Sequence, residues 1–281
     1  MDTEEKFKAL KEFIEHTGLQ ARAYFDSAHT ENEQKADGSV VTAVDTAVEA
    51  ALLAYVQEHF PGDAIVGEEQ GAHEGTTGFV WHIDPIDGTD NFLRRIPFFG
   101  ISVARLGDTP ADSFAIVHNP ATGQTFSTFL EEEGGVYENE RVCQLTPDAL
   151  GGRYVVSIGP GKKEPWMNSA RYALMQEIGT TYGKGASYGC TALELAYVAA
   201  NRIDGFLCYG LGSYDYAAGL FLVKSAGGSI SVFESGTWQL WDEGLKTLCA
   251  EPRAAIFVSH PAIHEAVLGI IGNPERWGRV G

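Results

Sequence analysis

Two carboxylates and a glycine-containing turn follow the apolar stretch 78–83, in the run Asp84-Pro85-Ile86-Asp87-Gly88-Thr89. Mg²⁺ prefers hard oxygen ligands and usually keeps several waters, so a few carboxylates at the end of a strand suit it. The carbonyl of Ile86 can add a further oxygen ligand. Gly88 lets the backbone approach an anion closely, and Thr89 begins a predicted helix whose free N–H groups point at phosphate. This run therefore predicts a turn that binds metal and phosphate.

Further acidic residues decide between this hypothesis and an ordinary solvated turn, which is the commoner meaning of an isolated Asp-x-x-Asp-Gly run. Glu68 and Glu69 stand at the end of another predicted strand, where two adjacent acids are unfavourable unless a cation lies near. Asp215 opens an apolar helix, where an acid alone would be an N-cap. Spacing excludes an EF-hand loop. It also excludes the Asp-x-Asp motif of haloacid-dehalogenase-type phosphatases, because Asp84 and Asp87 are one residue too far apart.

The acidic segments together resemble the three signatures of the inositol monophosphatase family. They are Gly67-Glu68-Glu69, the run 84–92, and the run 214–219. Lys35 to Glu49, with Asp45 between them, and Gly227-Gly228 also match, so the resemblance covers roughly residues 35–230. It implies a Mg²⁺-dependent, lithium-sensitive phosphatase with two or three Mg²⁺ per active site. It further implies a homodimer and an α+β fold layered as an αβαβα sandwich.

The resemblance also implies a role for each matching residue. Glu68, Asp84 and the Ile86 carbonyl would hold one Mg²⁺; Asp84, Asp87 and Asp215 would hold a second, and Glu69 takes part through water. The backbone of Gly88 and Thr89 would bind phosphate. Asp45 would accept a hydrogen bond from the Thr89 hydroxyl, and this pair would act with Glu68 and the first metal to activate the attacking water.

Several positions depart from the family pattern and leave the substrate open. Cys208 stands seven positions before Asp215, where inositol-specific members carry an acid that contacts sugar hydroxyls. Tyr214 replaces the usual Trp, and the segment 186–190 lacks the family's Arg. Arg94 and Arg95, or the pair Lys162-Lys163, could receive a second phosphate, although ordinary surface pairs are the commoner case. Lys35 could lie over the carboxylates or be solvated.

Three hypotheses for the function therefore remain, two of them within the phosphatase class. The first is a phosphatase for a small polyol or sugar phosphate. The second is a relative acting on fructose 1,6-bisphosphate, histidinol phosphate or 3′-phosphoadenosine phosphate. The third is a partner-binding regulatory protein with incidental activity. Such a protein would be expected to have lost a metal ligand or to carry an extended apolar surface, and neither is evident, since all the carboxylates are present.

The composition limits the partners. A net charge of −18 over 281 residues argues against nucleic-acid binding, which needs clustered Lys and Arg. Four widely spaced cysteines are typical of buried thiols in a reducing compartment. The acidic start lacks the features of a signal peptide, and the most apolar later stretch, 217–223, is too short to span a bilayer. We expect a cytoplasmic protein whose partner is a small phosphorylated substrate, with no nucleic acid and no membrane.

Periodicity and turn residues predict the elements that must position these side chains. An N-terminal half, 1–145, would carry an antiparallel sheet and most metal ligands. A C-terminal half, 146–281, would alternate strands and helices and supply Asp215, and the two would form one compact unit. A turn or hairpin is predicted around Asp37-Gly38. Helices are predicted over 5–28, 42–59, 164–178, 191–201, 215–226 and near 261–271, and strands over 64–66, 78–83, 101–104, 114–117, 125–129, 154–158 and 205–208.

Overall fold

Two helices near the start of the chain cover one face of a large sheet. In this computed structural model the described residues are 2–27, 32–34, 40–108, 113–129, 135–146, 152–159 and 165–272. Helix α1, Thr3–Asp26, begins at an Asp2 capping box. Helix α2, Ala43–His59, begins at a Thr42 capping box. Their apolar stripes at helical spacing are buried, so both helices form where periodicity predicts them.

The first sheet has eight strands among the described residues, in the order β10-β9-β8-β7-β6-β5-β3-β4. Its pairs are antiparallel except β3 with β5. A separate antiparallel pair, β1 with β2, flanks the predicted turn at Asp37-Gly38, which itself lies outside the described residues. The elements are β1 Asn32–Gln34, β2 Val40–Thr42, β3 Ala64–Gly67, β4 Ala72–His73, β5 Val80–Asp87, α3 Thr89–Leu93, β6 Gly100–Leu106, β7 Phe114–Asn119, β8 Gln124–Phe129, β9 Val136–Glu138 and β10 Arg141–Cys143.

The second sheet has six strands in the part of the chain that is described, in the order β12-β11-β13-β16-β14-β15. Only β11 pairs in parallel, with β12 and β13. The elements are β11 Tyr154–Ile158, α4 Pro165–Thr181, β12 Gly183–Ala186, α5 Thr191–Ala199, β13 Gly205–Tyr209, α6 Ser213–Ser225, β14 Ser229–Glu234, β15 Thr237–Leu240, α7 Leu245–Ala250, β16 Ala255–Ser259, a 3₁₀ turn Pro261–Ile263 and α8 His264–Ile271.

Five layers follow from the hydrophobic clusters. Helices α1 and α2 share one cluster with the first sheet. Helices α5 and α6 lie between the sheets and share a second cluster with strands of both, and α4 and α8 cover the outer face of the second sheet. This confirms the predicted α+β fold as an αβαβα sandwich. The division at residues 145 and 146 stays a prediction.

Strand β5 was expected to end where Asp84 begins a turn, which is wrong: it continues to Asp87, with a register irregularity between them, because pairing with β6 resumes at Asp87 and Gly100. All four cysteines are free and buried, as predicted. Among the described residues, no helix has the length and apolarity needed to cross a membrane.

Candidate active site

The irregular end of β5 presents two carboxylates from one strand. Asp84 is 1% exposed and Asp87 is 8% exposed. The backbone N–H of Ile86 donates to Asp84 Oδ1 at 3.0 Å, which turns the chain between the two acids. Pro85 has no N–H to pair, so it fits the point where the ladder is interrupted. The bulge therefore allows both side chains to reach the same space.

A third carboxylate comes from the other half of the chain. Asp215 lies in the first turn of α6 and is 9% exposed. Its Oδ2 accepts from the Gly212 N–H at 2.7 Å, which holds the carboxylate against the start of the helix. Oxygen atoms of Asp84, Asp87 and Asp215 all lie within 4.8 Å of one another. Three buried carboxylates this close can together bind a hard divalent cation.

Burial and mutual repulsion weaken the acidity of this cluster. Burial raises the pKa of Asp87 to about 7, against the N–H of Ala192 and the Cys190 thiol, which stabilise its charged form. Burial also raises the pKa of Asp84 well above its ordinary value, and the charges of Glu68, Asp87 and Asp215 add to the effect. Desolvated like charges are costly without a cation, so the cluster fits a bound metal ion.

The loop after β3 brings Glu68 and Glu69 to this cluster. Both are half-buried, and the Glu68 N–H donates to the Ile83 carbonyl at 3.2 Å. The buried carboxylate of Glu49, on α2, accepts from the N–H of Glu69 at 3.1 and 3.2 Å and from that of Gln70 at 3.1 Å. Glu49 therefore anchors the backbone of the acidic loop to α2.

The predicted hydrogen bond between Asp45 and Thr89 is not formed. The Thr89 hydroxyl donates to the Ile86 carbonyl at 3.1 Å instead. Asp45 Oδ2 accepts from the Thr42 N–H at 3.0 Å and from the Thr42 hydroxyl, because Asp45 completes the capping box of α2. Its Oδ1 is buried without a partner, and burial raises the pKa of Asp45 to about 6.

Gly88 turns the chain from β5 into α3. Its φ of 85° is in the left-handed region, which glycine adopts at no steric cost. A Cβ here would lie 3.0 Å from Cys190 Cβ and 3.1 Å from the Gly189 carbonyl oxygen. The close approach joins the turn to the residues that precede α5. Asp87 strengthens this junction, since its Oδ2 accepts from the Ala192 N–H at 2.5 Å.

Comparison with known proteins assigns the chain to a family. The sequence profile described as the inositol monophosphatase family matches residues 2–273. The chain belongs to the inositol monophosphatase family. It is 35% identical over 222 residues to the protein named Nus factor SuhB from Escherichia coli K12, covering 78% of this chain and 81% of that one. It is 34% identical over 210 residues to an inositol-1-monophosphatase of Mesorhizobium japonicum, covering 72% and 75%.

A solved structure of an IMPase from Thermotoga maritima has the same fold. The TM-score is 0.78 at 23% sequence identity, and the match covers 99% of this chain and 100% of that one. At this identity the likeness speaks for the fold alone. The layered architecture of this family member is thereby confirmed.

The remaining predicted site residues lie in different surroundings. Arg94 is exposed at the end of α3, whereas the Arg95 guanidinium donates to the Tyr24 carbonyl of α1 at 3.4 Å. Cys208 is 2% exposed, and burial together with the charges of Asp215 and Glu194 raises the pKa of its thiol. Lys35, like Lys162 and Lys163, lies outside the described residues.

Sequence reasoning missed contacts that join the site to distant segments. Glu49 had been matched to a family motif but had been given no role. The spacing Asp45-x-x-x-Glu49 places both acids on one face of a helix, and this spacing could have indicated that Glu49 faces the site. Asp87 also anchors α5, which no local pattern indicates. His82 is packed on β5 and is 2% exposed. Its hydrogen bond to Ser213 was not foreseen.

Proposed function

We propose that this member of the inositol monophosphatase family is a Mg²⁺-dependent phosphomonoesterase that hydrolyses a small polyol or sugar phosphate. The observation that carries the proposal is the convergence of Asp84, Asp87 and Asp215, with oxygens within 4.8 Å. These acids come from two strand-and-helix segments far apart in sequence. Their burial is costly unless a cation is bound, which favours a working metal site over a structural remnant.

The chemistry of the donors fits magnesium. Glu68, Asp84 and the Ile86 carbonyl would hold one ion, and Asp84, Asp87 and Asp215 a second, with Glu69 acting through water. All are hard oxygen donors. The Ile86 carbonyl already accepts from Thr89, but a carbonyl oxygen has two lone pairs and can take a second partner.

The chain's own residues would bind and orient the reactants. Bound Mg²⁺ supplies positive charge to the phosphoryl oxygens and lowers the pKa of bound water. The N–H groups of Gly88 and Thr89 would bind phosphate at the turn into α3. Asp45, whose Oδ1 has no partner, would take a proton relayed by the Thr89 hydroxyl. For this Thr89 must exchange its present Ile86 partner for Asp45.

The substrate of this chain is less certain to be an inositol phosphate than the family name suggests. A buried Cys208 offers no carboxylate to sugar hydroxyls, which argues against strict inositol specificity. Exposed Arg94 is available for a second phosphate. Fructose 1,6-bisphosphate, histidinol phosphate and 3′-phosphoadenosine phosphate therefore belong in a substrate panel with inositol and sugar phosphates. Lithium sensitivity and the homodimer remain proposals, to be measured by inhibition and by light scattering.

Release of inorganic phosphate from this panel, with and without Mg²⁺, tests the proposal. Asp87→Asn should lower kcat by at least about 100-fold, the size of effect seen when an electrostatic group of the transition state is removed. The asparagine carbonyl oxygen can still accept from Ala192, so α5 should stay anchored. Asp90→Asn, which changes an exposed acid of the same motif, is the matched control and should retain activity.

A partner-binding function is the second candidate, because several relatives carry the name Nus factor SuhB. The two candidates predict different outcomes for the same variants. A wild-type protein that releases no phosphate from any ester would overturn the phosphatase proposal and favour partner binding. A partner retained by Asp87→Asn while hydrolysis is lost would separate the two activities.

A further inference from the structure

The first turn of α6 is fastened to β5 close to the metal-site carboxylates. His82 Nδ1 and Ser213 Oγ lie 2.9 Å apart. His82 is 2% exposed, and Ser213 is the first residue of α6. Neither residue has a part in the chemistry proposed above. This partly buried hydrogen bond joins side chains 131 positions apart, so it holds two distant segments of the chain together.

Strand alternation shows which elements this bond connects. Trp81 and Ile83 share the cluster with α1 and α2. Successive strand residues point to opposite faces, so His82 and Asp84 both face α6. On α6, Ser213 is two residues before Asp215. The His82–Ser213 bond therefore joins the two elements whose carboxylates, Asp84 and Asp215, must meet.

The neighbouring strand adds a second contact on the same face. Ser102 is the partner of Asp84 across β5 and β6, and its hydroxyl donates to the Tyr214 carbonyl at 3.4 Å. This bond is long and correspondingly weak. Ala104, the partner of His82, pairs in turn with Ala115. These small side chains leave room for the imidazole between the sheet and the helix.

Asp215 cannot move independently of this turn. Its carboxylate accepts from the Gly212 N–H at 2.7 Å, so its position follows the backbone that starts α6. We propose that His82 and Ser213 are positioning residues that fix Asp215 at metal-ligating distance from Asp84 and Asp87. This inference rests on the proposed metal-dependent function and deepens it. The partners that orient metal ligands commonly tune metal affinity.

The chain contains a matched pair with a purely structural place. His264 and Ser231 form a second histidine–serine bond, at 2.8 Å, and this one is fully buried. That bond joins α8 to β14, on the outer side of the second sheet, in a different cluster from α6. Losing either bond should cost similar stability. Only the His82–Ser213 bond should change the binding of metal.

The test compares Ser213→Ala with Ser231→Ala, using Mg²⁺ alone and the spin-active probe Mn²⁺. Metal affinity is measured on metal-free protein by titration calorimetry and by Mn²⁺ electron paramagnetic resonance, and Tm is measured in EDTA. We expect Ser213→Ala to bind roughly tenfold more weakly than wild type. Ser231→Ala should bind like wild type, although both variants lower Tm in EDTA.

A conservative variant guards against misfolding. An asparagine can place its amide group near the position of Nδ1, so His82→Asn should keep near-wild-type affinity while His82→Leu loses it. Equal metal affinity for Ser213→Ala and wild type would overturn the positioning role and leave a packing contact. A wild-type protein that binds neither Mg²⁺ nor Mn²⁺ would overturn the proposed function itself, which is a distinguishable result.

Discussion

Gly67 is the residue at which the acidic loop is most tightly constrained. A Cβ at this position would lie 2.0 Å from Glu49 Oε1. Glu49 is fully buried, and its carboxylate is held by the N–H groups of Glu69 and Gln70. The carboxylate therefore cannot swing away without losing those bonds. The Glu49 carboxylate therefore explains sterically why the Gly67-Glu68-Glu69 signature begins with glycine.

Gly67→Ala should consequently lower the free energy of unfolding by about 2 kcal/mol, since it overpacks a hydrogen-bonded site. Urea unfolding followed by circular dichroism measures it. Gly269→Ala is the control: Gly269 lies exposed in α8 with nothing within 4 Å of an added Cβ. That substitution should stabilise the protein by roughly 0.5–1 kcal/mol. Unchanged stability of Gly67→Ala would show that Glu49 relocates freely.

Among the elements, β5 and β6 are joined by Asp63 at the end remote from the carboxylate cluster. Its Oδ2 accepts from Trp81 Nε1 at 2.9 Å and from Arg105 Nε at 2.8 Å, and its Oδ1 accepts from the Thr77 hydroxyl. The Arg105 guanidinium also lies 3.5 Å from the centroid of the Phe79 ring. This buried ion pair fixes the register of β5 and β6 from the opposite end.

Asp63→Ala should therefore cost about 3–5 kcal/mol, because it leaves the Arg105 charge buried and without this carboxylate. Denaturant unfolding gives the value. The double variant Asp63→Leu with Arg105→Met should recover much of the loss, since no unpaired charge remains. Glu4→Gln, which breaks the exposed pair with Lys8, should change stability by less than about 0.5 kcal/mol. Equal losses for Asp63→Ala and Glu4→Gln would contradict this account.

How far the sequence predicts each element depends on whether its signal is local. Helices α1 and α2 were predicted closely because apolar spacing and the capping residue lie within each segment. Helix α7 was missed: it has six residues, too few for a periodic pattern. The mixed pairing of the second sheet was also beyond reach, because β13 pairs with β16 across the intervening α6, β14, β15 and α7.

For the site, too, local features were predicted and long-range contacts were not. The carboxylates were found from motifs, since each motif is contiguous. The contacts that hold them are not: Asp87 reaches Ala192 across 105 positions, and Glu49 reaches Glu69 across 20. The Asp45–Thr89 pairing was predicted from resemblance and differs here, because the Thr89 hydroxyl donates to the Ile86 carbonyl while Asp45 Oδ2 caps α2.

On the scale of the whole molecule, buried histidines lie in several layers of the fold. His82 is on β5, His118 on β7 and His264 at the start of α8. Burial lowers the pKa of each to about 4. Buried carboxyls change the pH dependence of stability in the opposite direction, since burial raises the pKa of Glu194 to about 7. The pH dependence of stability is thus a balance between the two kinds of group.

His264 allows the histidine contribution to be isolated. Its pKa is lowered to about 4 in the fold from an ordinary 6.5. The unfolded chain therefore takes up a proton first as pH falls, and stability present above pH 6.5 is lost between about 6.5 and 4. His264→Gln should reduce the slope of unfolding free energy against pH in that window by up to about 1.4 kcal/mol per pH unit, which corresponds to one proton.

Val267→Ala, which removes buried packing on the same helix but no titratable group, should lower stability equally at every pH. Parallel curves for wild type and His264→Gln in urea unfolding from pH 7.5 to 4.5 would contradict the burial of a neutral imidazole between Ser231 and Ser259.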